Sequence, residues 1–140
     1  GSVQIFKYLY KNDCGLTPSL WIYSIHGRNP ELISLLTELD VQPENKSYNE
    51  CLKESIKCHH NDVANYINEN FIIDEISLYN IENEYDENIL SYSFHYYNFP
   101  FIPVHAEQKF IIFYLCQYGY YKLVYYLMLK KKVYTEKASI

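Results

Sequence analysis

Phe110–Met128 reads FIIFYLCQYGYYKLVYYLM. Residues Phe110 to Tyr118 form an apolar helical segment, and Gly119 then breaks it. Beyond the break, Leu123, Val124, Leu127 and Met128 recur at i, i+1, i+4 and i+5, one face of a second helix. A helix, a tight glycine-containing turn and an antiparallel return helix make the local unit. Period-two alternation is poor here and throughout, so no strand reading competes.

Working outward, the same layout recurs at Ser47 to Asn70. Leu52, Ser55 and Ile56 line a first helix, and His59 and His60 sit at the turn. Asn61-Asp62 opens the next helix, where Asp62 suits the N-terminal end of the dipole. Val63, Ala64, Tyr66 and Ile67 supply its inner face. A third copy lies at Thr17 to Leu36. Thr17-Pro18 reads as a cap followed by proline at the first helical position. Leu20, Trp21, Ser24 and Ile25 follow, then the break His26-Gly27-Arg28-Asn29-Pro30, then Leu32, Ile33, Leu35 and Leu36. Ile5, Phe6, Tyr8 and Leu9 read as the return helix of a truncated unit. Gly27 to His59 spans about one 33-residue period, and Gly119 lies nearly two further periods on. The missing unit is predicted at Asn88 to Tyr97, with its second helix lost or shortened because Pro100 and Pro103 break Asn98 to Pro103. Asp74 to Glu87 reads as an irregular loop or short helix.

The predicted class is all-α, a solenoid of antiparallel helix pairs with degenerate repeats. Residues 1–2 read as an expression scar. Residues 3–140 read as one domain with units at 3–15 (partial), 16–46, 47–80, 81–105 (degenerate) and 106–140. Each pair covers only part of its apolar face, and stacking covers the rest.

A formal net charge of −5 argues against general nucleic-acid binding, which needs a basic surface. The one basic run, Lys130 to Lys132, reads as a solvated helix end. Asp74, Glu75, Glu82, Glu84, Asp86 and Glu87 oppose it. No apolar run approaches the roughly 18 residues of a membrane span, and no secretory leader is recognisable. Cys51, Cys58 and Cys116 fall within apolar helical patterns and read as buried thiols, which with Cys14 points to a reducing, intracellular compartment.

These residues resemble the ankyrin repeat. Leu16-Thr17-Pro18 resembles the opening of its motif, and Gly119 with Leu123-Val124 and Leu127 resembles its turn and second helix. Ser55-Ile56 and Leu115-Cys116 stand where the family has two alanines, and His60 stands where a histidine often follows the turn glycine. LTPSLWIYSIHGRN (16–29), ECLKESIKCHHNDVANYI (50–67) and SFHYYNFPF (93–101) are closer still to a divergent ankyrin-like family expanded in parasitic protists, where such a domain looks like the N-terminal cap of a longer array. An insertion around Gly27 to Pro30, the absent glycine at His59 and the degenerate third unit depart from the pattern.

The resemblance implies protein–protein recognition. By ankyrin geometry, Tyr114, Gln117 and Tyr118 would face the concave surface, with Glu54, Lys57 and Cys58 in equivalent places. Tyr121 and Tyr125 join the candidate partner-binding set. Aromatic residues suit interface cores, but the weightier reading is that they pad an alanine-poor core. Cys58-His59-His60 invites a zinc reading with Cys51. Cys51 and Cys58 lie two turns apart, about 10.5 Å on a helix, too far to share one ion at about 2.3 Å per thiolate. No second ligand pair has standard spacing, and no glycine-rich phosphate loop, nucleophile elbow or carboxylate pair stands out, so neither metal, cofactor nor catalytic residues are expected. The alternatives are a structural cap without its own partner and a cysteine hydrolase. The apolar C-terminal pair is expected to support weak self-association, and Lys130 to Ile140 reads as a finger leading onward.

Overall fold

The computed structural model describes residues 2–72, 82–103 and 106–137, with residues 2, 82–87 and 130–137 described by backbone alone. Among the described residues every regular element is helical, so the class is all-α. The chain forms two compact units, Gly1–Ile81 and Glu82–Ile140.

The first unit holds α1 (Ser2–Lys11), α2 (Leu20–His26), α3 (Pro30–Glu38), a 3-10 turn at Glu44–Lys46, α4 (Asn49–Lys57) and α5 (Asn61–Ile67), which runs into a π-helical turn at Asn68–Ile72. Helix α2 packs on both α3 and α4, and α4 packs on α5. Trp21, Ile25, Leu36, Leu52, Ile56 and Ile67 are fully enclosed. Burial of each aliphatic side chain contributes about 1.5–3 kcal/mol. Trp21 anchors this core. Its indole N–H donates to the Val41 carbonyl at 2.6 Å, and its ring meets Tyr48 and Phe71 edge-on. Helix α3 starts at Pro30, inside the stretch read as a break. The Asn29 side chain accepts from the Leu32 amide at 3.0 Å, and Pro30 needs no amide partner in the first turn.

The second unit holds α6 (Glu82–His95), a 3-10 turn at Phe99–Phe101, α7 (Gln108–Gln117) and α8 (Tyr121–Lys137). Leu90, Phe94 and Leu115 form its centre, with Phe110, Ile111, Tyr114, Tyr118 and Val124 packed around them. The two prolines leave only the short turn at Phe99–Phe101 where a return helix would stand.

Four sequence expectations need correction. Thr17 does not cap α2; its hydroxyl pairs with Ser19 Oγ at 2.9 Å, and the helix begins at Leu20. From Glu82 the acidic stretch is regular helix; its earlier part, through residue 81, lies outside the described residues. Residues Lys130 to Lys137 continue α8 and are no finger, while 138–140 lie outside the described residues, as do the side chains of Lys130 to Lys132. Of the cysteines expected inside, Cys51 is buried, Cys58 is half-buried and Cys116 is exposed.

Candidate functional site

The site begins with the turns. Where α2, α4, α6 and α7 end, one residue takes a left-handed φ: Arg28 (44°), His59 (57°), Tyr97 (59°) and Gly119 (78°). The following amide donates to the carbonyl five residues back. These pairs are Asn29 to Ser24, His60 to Ser55, Asn98 to Ser93 and Tyr120 to Leu115, at 3.1, 3.0, 2.8 and 2.7 Å. The left-handed residue itself donates three residues back, to Ile25, Ile56, Phe94 and Cys116. This is the Schellman arrangement, which satisfies carbonyls that a helix end leaves open. Its left-handed position favours glycine, yet only the last of the four has one. In the first turn Gly27 keeps an ordinary φ of −76°, and Arg28 bends the chain. Helices α3, α5 and α8 all start two residues past the left-handed position, so the first turn contains no insertion relative to the others.

This shared register defines matched positions. Ser24-Ile25, Ser55-Ile56 and Ser93-Phe94 all face inward. Two further positions are matched by the same register: five residues before the left-handed residue stand Tyr23, Glu54, Tyr92 and Tyr114, and two before it stand His26, Lys57, His95 and Gln117.

In the first unit Tyr23, His26, Glu54 and Lys57 line one groove of about 420 Å³, walled also by Trp21, Glu44 and Glu50. His26 Nε2 lies 2.9 Å from Glu54 Oε2, joining α2 to α4. Lys57 Nζ donates to both Glu54 oxygens at 2.9 and 3.1 Å. Burial alone would raise the Glu54 pKa, but the hydrogen bonds and charges of His26 and Lys57 outweigh it and hold the carboxyl below its ordinary value. Two further links tie this turn to its neighbour. His60 Nδ1 lies 2.8 Å from the Ile25 carbonyl oxygen, and Arg28 donates to Asp62 Oδ2 at 3.1 Å. That Arg28 guanidinium holds the Asp62 carboxyl below its usual range.

Cys58, His59 and His60 do not gather around a common point. A different group does: His26, Glu54 and Cys58 present one nitrogen, oxygen and sulfur each, all within 4.8 Å of one another. Sequence reading missed it because His26 lies on the neighbouring helix; only the Glu54–Cys58 spacing of i, i+4, which puts two side chains on one helical face, was visible. Burial and then Glu54 push the Cys58 thiol above its ordinary pKa. Burial pushes Cys51 to about 12.

The other candidate residues lie in the second unit. Tyr114 stacks on Phe94 at 6.2 Å and on Tyr118 at 6.3 Å, and the Tyr118 hydroxyl meets Ser91 Oγ at 3.1 Å. Both rings are half-buried packing elements of that core. Gln117 is exposed. Tyr121 and Tyr125 stand 69% and 66% exposed on α8. Tyr23, absent from the candidate set, is 67% exposed at the groove and occupies the position matched to Glu54.

Compared with known proteins, the chain matches no protein-family model, no curated protein and no solved structure.

Proposed function

We propose that this chain is a non-catalytic protein-recognition module that holds a partner segment in the α2–α4 groove. The carrying observation is that matched positions of α2 and α4, Tyr23 with Glu54 and His26 with Lys57, converge on that one groove. A solenoid of antiparallel ankyrin-like pairs presents equivalent side chains of successive units side by side, and the common two-residue offset from the left-handed position to the start of α3, α5 and α8 supports that reading. Glu44, Glu50 and Glu54 outnumber Lys57 among the permanently charged lining residues, and Tyr23 offers a broad apolar ring. The groove suits a segment with a cationic and an apolar side chain. A raised pKa at Cys58 is the reverse of an activated nucleophile, which disfavours the hydrolase reading. Four free thiols suit a reducing intracellular compartment. Affinity capture from the source cell tests the reading: the intact chain should retain a protein that the folded Glu54→Lys variant loses, and equal retention by both would refute it.

A second reading, self-association through the C-terminal pair, is favoured by α8. Tyr121, Leu123, Tyr125, Tyr126, Met128 and Leu129 are all exposed there, an apolar surface of the kind that marks contact sites.

A further inference from the structure

We propose that His26, Glu54 and Cys58 form a binding site for a borderline-soft divalent cation such as Zn²⁺. The imidazole, carboxylate and thiol are the three donor types that zinc accepts. They come from two helices that already pack together: His26 ends α2, while Glu54 and Cys58 sit one turn apart on α4 and at its C-cap. Donor atoms around a tetrahedral zinc lie roughly 3.3–3.6 Å apart, given bonds of about 2.0–2.3 Å. The Nε2–Oε2 separation is 2.9 Å and all three donors lie within 4.8 Å. Small side-chain rotations therefore reach coordination distance without moving either helix. His26 is 47% exposed, so a cation has an entry path and a fourth position stays open to water. The ion takes the Glu54 Oε2 and His26 Nε2 that now face each other and replaces their direct contact. Cys58 binds as the thiolate and gives its proton to solvent; Lys57, also on Glu54, opposes the ion and limits affinity.

The proposal does not depend on the recognition reading. Its test is titration of the full chain with Co²⁺, whose thiolate complexes absorb in the near ultraviolet, followed by Zn²⁺ competition. One saturable equivalent at micromolar metal is expected, displaced by Zn²⁺. Cys58→Ser should abolish the thiolate band. The exposed His26→Ala should weaken binding tenfold or more while circular dichroism stays native, and Lys57→Ala should retain or tighten it. A Cys14→Ser/Cys116→Ser protein should bind like the parent. The absence of a thiolate band would overturn the proposal. So would a band lost in the Cys14→Ser/Cys116→Ser protein, or one unaffected by His26→Ala.

Discussion

Glu54 carries more of the site than any other single residue, since α2 and the groove both meet at its carboxylate. Its folded-state pKa lies below the ordinary 4.5 because His26 and Lys57 favour the anion. A depressed carboxylate pKa stabilises the fold above the unfolded value, and the benefit is lost as pH falls through the folded value. Between pH 4.5 and that lower value the parent should lose stability, and Glu54→Gln should show a flatter acid limb. Urea midpoints across a pH series measure it, and parallel profiles would remove the Glu54 assignment. The thiols provide a second residue-level check. Cys14 and Cys116 are exposed, whereas Cys51 is buried with its pKa near 12. Alkylation followed by mass spectrometry should label the first two rapidly and Cys51 only when the fold opens. Sequence reading put Cys116 inside because it lies in an apolar run. Such a run marks a helix but does not say which side a neighbour covers, and here Leu115 takes the covered side. Tyr114 and Tyr118 had two readings, interface or core padding, and they pack: Tyr114 stacks on Phe94, 20 residues upstream, and Tyr118 stacks on Tyr114.

At the level of elements, the helix pairs were legible and their turns only partly so. Amphipathic spacing located α4 and α5 because burial of one face imposes it, whereas α7 was marked only by its apolar run, and of the face read for α8 only Val124 and Leu127 pack inward while Leu123 and Met128 are exposed. The turn register was obscured because three of the four left-handed positions described above lack glycine, and Gly27 stands one residue before the bend. A left-handed residue with a Cβ costs roughly 1–2 kcal/mol, which tertiary packing outweighs here. Two substitutions test this. A Cβ at Gly119 would meet nothing closer than Tyr121 at 3.9 Å, so Gly119→Ala isolates the backbone cost and should destabilise by about 1 kcal/mol. His59→Gly should stabilise by a similar amount, less whatever contact the imidazole loses. Denaturant melts decide it, and an unchanged midpoint for Gly119→Ala would contradict the turn assignment.

For the molecule as a whole, helical class was readable from patterning, whereas sites assembled across helices were not. His26 and Glu54 lie 28 residues apart, and no local spacing announces their contact. The exposed aromatic and aliphatic side chains of α8 bear on the second reading. Sedimentation across a wide concentration range should show weak self-association that Tyr121→Ser with Tyr125→Ser reduces; a strict monomer at high concentration would exclude that contact. Recognition in the groove is tested most directly by photo-crosslinking of the captured partner from position 23, with position 8 as a control of matched exposure, 67% against 68%. The account predicts a crosslink from position 23 that Glu54→Lys abolishes and none from position 8, while a crosslink from position 8 alone, or one from position 23 indifferent to Glu54→Lys, would contradict it.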